Sequence, residues 1–304
     1  MKRTCLHTIT NTHENESCEF HPSIKKTKYF RMKISVLLLL LLVSVSISAQ
    51  KLEKLWATHS ELKTPESVLY SELYGLAFVA CMGDVRDTKN SDGSIAQINL
   101  KGEILNAAWV TGLNDPKGMA IWEGKLYVAD MDELVIIDIK SGSIDKKFLV
   151  PEAKFLNDVT VCKNGMVFVS DMRDQRIYAY SNNEFKSWLH DPKLDFVNGL
   201  WAEGGKLYVG NNSVWEIDIQ TKELKELFTG TGGIDGLESI GNGNFIFSNW
   251  GGKIYVSDNG KVVKLLDTSE EKINTADLDF LPDSKLVLVP TFFGNNVEAY
   301  QLVW

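Results

Sequence analysis

A short motif recurs six times along this chain, and its spacing sets the architecture. Each copy is a linker residue, one variable residue and a small or apolar follower, leading into a mostly apolar run. The copies are Pro65-Glu66-Ser67-Val68, Pro116-Lys117-Gly118-Met119, Leu156-Asn157-Asp158-Val159, Val197-Asn198-Gly199-Leu200, Ile234-Asp235-Gly236-Leu237 and Thr275-Ala276-Asp277-Leu278. From Lys117 onward the variable positions stand 40, 41, 37 and 41 residues apart. A period of this length matches one four-stranded propeller blade per unit. The first unit is longer by a polar segment, Gly83 to Gly93, which reads as a surface loop with Asp92-Gly93 as its turn.

Within a unit the pattern repeats. A small, apolar first strand ends in a tight turn such as Glu123-Gly124, Asn164-Gly165 or Gly204-Gly205. The second strand is apolar throughout, as in Leu126-Tyr127-Val128-Ala129, so both its faces are expected to be buried. The third strand alternates, as in Val214-Trp215-Glu216-Ile217-Asp218-Ile219, and the fourth is more polar. The chain ends on a third strand, Asn296 to Val303, so the last unit lacks its outer strand. Lys51 to Trp56 precedes the first unit and is placed to supply it, leaving no open edge. The fold expected is all-β: a six-bladed β-propeller with four antiparallel strands per blade, closed by an N-terminal strand, over residues 50–304.

The segment before the repeats reads differently. Met32-Lys33, the leucine-rich run Ile34 to Val43 and the small-residue exit to Ala49 have the form of a secretory signal peptide over 32–49. The run is too short for a comfortable membrane span. Residues 1–31 are polar and aperiodic, and read as a leader ahead of the true start or as an extended n-region. Export to the periplasm or the medium follows, with no stable membrane insertion. Residues 50–304 carry 25 Lys+Arg against 37 Asp+Glu. That acidic balance argues against a nucleic-acid partner, whose phosphates need a basic surface. Cys81 and Cys162 are expected on strands two blades apart, as buried free thiols. His59 and His190 are isolated in sequence, which leaves little material for a histidine zinc site or a His-centred triad.

In a propeller the residue entering each innermost strand lies at one mouth of the central channel. Round the ring these are Glu66, Lys117, Asn157, Asn198, Asp235 and Ala276. Two carboxylates and two amides from four blades offer the oxygen ligands a hard divalent cation takes, calcium ahead of magnesium. The competing reading is that Asn and Asp before Gly are ordinary turn formers. Asp158 and Asp277, one position later, are expected to bond blade backbone. Loops after the second strands return to the same mouth with Asp130-Met131, Asp171-Met172-Arg173, Asn211-Asn212, Asn249-Trp250 and Phe292-Phe293. From these, Lys117 and Arg173 are candidate anion or hydroxyl contacts. Asn249, Trp250, Phe292 and Phe293 are candidate pocket walls.

With this period, the set Pro65-Glu66-Ser67, Asn157-Asp158, Asn198-Gly199 and Asp235-Gly236 resembles the senescence-marker-protein (regucalcin), gluconolactonase and luciferin-regenerating-enzyme group. The resemblance covers roughly 51–304. It implies a catalytic divalent metal, calcium or zinc, held by Glu66, Asn157, Asn198 and Asp235, and hydrolysis of a sugar lactone or related ester. Asp235 would then serve as general base or as a pure ligand. The blades are terse and Lys154-Phe155-Leu156 stands where the group carries an arginine strand, so the substrate stays open. The alternative is an exported, non-catalytic ligand-binding or scaffold propeller with a structural cation. A small-molecule ligand and a monomer are expected in either case.

Overall fold

The computed structural model describes residues 50–304. The expected leader and signal peptide lie outside the described residues. Six antiparallel sheets of four strands follow one another along the chain, as the repeat requires. The innermost strands are Pro65–Ser71, Pro116–Trp122, Leu156–Val161, Leu200–Glu203, Ile234–Gly241 and Asp279–Leu281. In the sixth blade the order is Lys51–Ala57, Val297–Val303, Leu286–Pro290, Asp279–Leu281. The N-terminal strand pairs antiparallel with the C-terminal one, Leu52 opposite Leu302 and Lys54 opposite Tyr300. Closure by the N-terminal strand is therefore as the sequence predicts. Across this seam Glu298, buried, accepts from Lys54 Nζ at 2.5 Å and from the Tyr300 hydroxyl.

The second strands are buried on both faces; Val167–Asp171 is buried at every residue. They form apolar layers between blades rather than one central core. Phe78, Ala80 and Ile95 of the first blade, for example, pack on Leu126, Val128 and Val135 of the second. Full burial of each such side chain is worth about 1.5–3 kcal/mol. The only described helices are single turns, Pro192–Leu194 and Phe292–Gly294. No described helix is long and apolar enough to cross a membrane. Cys81 is buried, and desolvation pushes its thiol up to about 12. Cys162 departs from expectation. It follows the Leu156–Val161 strand instead of lying in it, and is only half-buried.

The glycines of the motif have a packing role. A Cβ on Gly118 would lie 2.5 Å from Asp158 Cα; on Gly199, 2.6 Å from the Asp235 carbonyl oxygen; on Gly236, 2.5 Å from Leu278 N. Each contact is with the backbone of the next blade. Innermost strands thus approach main chain to main chain around the channel, closer than any side chain allows. Between the sixth and first blades the approach becomes a parallel bridge, with Asp277 N donating to Glu66 O at 2.9 Å. None of these three glycines has a positive φ, and Asp235-Gly236 lies within a strand. The turn-former reading of the motif is accordingly not what the backbone does.

Candidate functional site

One mouth of the channel opens into a cavity of about 570 Å³. Glu66, Lys117, Asn157, Asn198 and Asp235 line its floor, delivered by five innermost strands or the residues entering them. Arg173, Trp250 and Phe292 line its wall. Phe293, expected in the wall, is not among the lining residues, and neither is Asn249. Its side-chain oxygen accepts from Gly251 N at 2.9 Å and shapes the loop that presents Trp250. Its register explains this. Asp130, Asp171 and Asn211 occupy the same place in their blades and also bond local backbone. Asp130 accepts from Asp115 N at 2.6 Å, Asp171 from Phe155 N at 2.9 Å, and Asn211 from Ser213 N at 2.9 Å. The residues just after this position face the ligand space instead: Met172, Arg173, Asn212 and Trp250.

On the floor, Glu66 and Asp235 are 5% and 4% exposed, so both carboxylates are almost fully out of water. Burial raises the Glu66 carboxyl well above the ordinary carboxylate range, and the nearby Asp235 charge adds to the rise. Burial takes Asp235 to about 7, against which the Asn198 amide works by donating to Oδ1 at 2.7 Å. Glu66 Oε2 is buried without a hydrogen-bond partner. A buried, unpartnered carboxylate oxygen is costly and calls for a proton or a cation. Lys117 cannot supply that charge fully. Its Nζ donates at 2.9 Å to Asp115 Oδ2 and at 3.0 Å to Asp115 O, and lies 4.7 Å from the centre of the Phe155 ring. Lys117 is therefore already committed to a buried ion pair, which narrows its expected role as an anion or hydroxyl contact. Among the described residues no three Asp, Glu, His or Cys side chains gather as a metal cluster. The donor set at the floor is instead two carboxylates with two amides. Those four oxygen-bearing side chains suit a hard divalent cation, which would offset both buried charges and satisfy Glu66 Oε2.

Below the floor the channel stays acidic. Asp158, expected to bond backbone, accepts from Leu200 N of the next blade at 2.5 Å. Asp277 accepts from Ser67 Oγ at 3.0 Å, a side chain rather than backbone. With Glu238 these two line a second cavity of about 340 Å³ at the other end of the channel.

Sequence reasoning missed much of the wall. Arg86 and Asp87, on the polar loop read as mere surface, line the cavity, as do Met82, Phe155 and Phe196, beside Met172 and Asn212 from the loops the sequence places at this mouth. Arg86 sits 5.4 Å over the Phe292 ring and 5.0 Å over the Phe293 ring. Arg173 sits 4.1 Å over Phe155. The signal available was the length of the first unit, whose extra polar segment lies between its second and third strands.

No known protein family matches the sequence, and no curated protein matches it. Solved structures do resemble the fold. A catalytically inactive histidine-to-alanine variant of virginiamycin B lyase from Staphylococcus aureus, solved with quinupristin, aligns with TM-score 0.59 and 15% identity over 84% of this chain and 100% of that one. A streptogramin B lyase aligns with TM-score 0.61 and 13% identity over 84% and 98%. At such identities the likeness establishes a shared propeller fold and nothing about the reaction.

Proposed function

We propose that this protein is a metal-dependent hydrolase of the gluconolactonase-like type, acting on a lactone or related ester. The observation that supports this most is the floor. Glu66, Asn157, Asn198 and Asp235 come from four blades to one cavity, with one buried carboxylate oxygen left without a partner. Calcium is the favoured cation, with zinc or magnesium as alternatives. When bound, it supplies a positive centre that polarises a carbonyl and stabilises charge developing on its oxygen. The chain's own groups do the rest. Asn198 Nδ2 fixes Asp235 Oδ1. No hydrogen bond from the described residues reaches Asp235 Oδ2, so it is available to take a proton from water as general base. Phe155, Trp250 and Phe292 shield the reacting centre from bulk water and orient the substrate. Neither described histidine, His59 or His190, lines this cavity, so the base candidates at its floor are the carboxylates. The signal-like segment supports export to the periplasm or the medium, and we read the protein as a monomer.

Calorimetric titration of residues 50–304 with calcium, followed by hydrolysis assays on lactones and aryl esters with and without chelator, tests the reading. One calcium site, lost in Glu66→Gln and Asp235→Asn, and turnover abolished by chelator are expected. Full turnover by Asp235→Asn would remove its role as base. A second reading, a ligand-binding propeller with a structural cation, draws on the Asn198–Asp235 bond, which already occupies one oxygen of the proposed base. Calcium binding with no turnover on any ester would favour it.

A further inference from the structure

We propose that the ligand of this cavity is an anionic amphiphile: a lactone or ester with an apolar body, lying on the Trp250–Phe292 wall, and a carboxylate or similar anion held by Arg86 and Arg173. This rests on the hydrolase reading for the reacting carbonyl and narrows its substrate class away from neutral sugar lactones. Three independent observations carry it.

The first is charge. Residues 50–304 contain three arginines in a strongly acidic chain. Arg176 is bound to Asp174 at 2.7 Å. Among the described residues, Arg86 and Arg173 have no carboxylate within ion-pairing distance, and both line the cavity. Each guanidinium carbon lies over the face of a phenylalanine ring, Arg86 5.4 Å from the centre of Phe292 and Arg173 4.1 Å from that of Phe155. A cation held by a ring face keeps N–H groups that no carboxylate of the described residues occupies, and a guanidinium with such groups can grip a carboxylate in two-pronged fashion. The second is the apolar wall. Trp250 packs edge-on against Phe292 at 5.7 Å and Phe293 at 6.0 Å. Trp250 is 46% exposed and Phe196, which also lines the cavity, 58%. Large rings left in water at a cavity mouth cost solvation unless something covers them. The third is strain. Phe292 has φ of 38° and Phe196 has φ of 55°, values that bulky L-residues avoid. A backbone that holds aromatic rings at this cost, in short loops over a pocket, points to a role for the rings themselves. A polyol lactone needs hydroxyl partners; this wall offers it few.

The test is equilibrium binding with chelator present, so that it is independent of cation and turnover. The probes are 4-phenylbutyrate, its neutral amide, and gluconate, followed by calorimetry and tryptophan fluorescence. Phenylbutyrate is expected to bind, with affinity falling as salt rises, and both the amide and gluconate to bind at least about tenfold more weakly. Arg86→Gln/Arg173→Gln, checked by melting for a folded state, is expected to lose that margin while amide binding is unchanged. Trp250→Ala is expected to weaken phenylbutyrate and amide alike. Equal affinity for phenylbutyrate and amide, an unaffected arginine double variant, or no phenylbutyrate binding would overturn the proposal. Absence of ester turnover would bear on the hydrolase reading alone.

Discussion

Lys117 shows how a residue's chemistry is decided by its nearest partner. It occupies the ring position between two ligand candidates, and its charge invites a substrate role. The structure instead buries it to 2% exposure against Asp115, itself 0% exposed. Removing one member of a buried pair leaves an uncompensated charge, which typically costs 3–5 kcal/mol, or about that here. Lys117→Met is therefore expected to lower stability to urea by about that amount, and Lys117→Met/Asp115→Asn to recover a large part of it. Equal destabilisation in the single and double variants would show that packing, not charge, is what Lys117 supplies. Asp115-Pro116-Lys117 is visible in the sequence, but nothing in it says that the carboxylate turns back onto the ammonium. The same limit applies to Arg86. Composition marks its loop as polar surface, while the fold turns that loop over the mouth. Glu66, Asn157, Asn198 and Asp235 were legible because a repeat register fixes where a residue points, whatever its identity. Asn249 marks the limit of register: it aligns with Asp130, Asp171 and Asn211, but alignment does not say that this position bonds local backbone while the residue after it faces the cavity.

At the scale of the blade, the strand pattern was readable because each strand has its own burial. Double burial makes the second strand continuous in apolar residues, and single burial makes the third alternate. Contacts between blades were not readable, and the motif glycines are the example. Asn-Gly and Asp-Gly carry turn statistics, yet here glycine is needed because a neighbouring main chain lies within 2.6 Å of where its Cβ would be. Gly199→Ala and Gly236→Ala are expected to cost about 1–3 kcal/mol each, as overpacking does, with loss of calcium binding because Asn198 and Asp235 shift with their strands. Gly230→Ala, where nothing lies near the added Cβ, controls for the loss of glycine, although its φ of 81° brings its own strain. Removal of Lys51–Ala57 tests the seam. It frees an edge of Val297–Val303, so a lower Tm and self-association by size-exclusion chromatography are expected. A monomeric truncation with unchanged Tm would mean that the N-terminal strand is not what closes the ring.

Across the whole molecule, the channel concentrates acid. Burial raises Asp158 and Asp235 to about 7 and Asp279 to about 6, and raises Glu66, Glu238 and Asp277 well above the ordinary range. An acid whose folded pKa exceeds its unfolded value binds protons more tightly in the native state. Its stability contribution is greatest at low pH and is lost as pH rises from about 4 through the folded pKa. Without divalent cation the protein is therefore expected to lose thermal stability between pH 5 and pH 8, by roughly 2–4 °C for each kcal/mol. A cation on Glu66 and Asp235 competes with those protons, so calcium is expected to bind more tightly as pH rises through about 7. At a hundredfold excess over its Kd it would return about 2.7 kcal/mol, largest in effect where the apo protein is weakest. Asp235→Asn removes one buried acid and one ligand together. In chelator it is expected to melt higher than wild type at pH 8, with a shallower pH slope, and calcium should no longer raise its Tm. A wild-type apo protein that gained stability from pH 5 to pH 8 would contradict both the burial of these carboxylates and the need for a cation that follows from it.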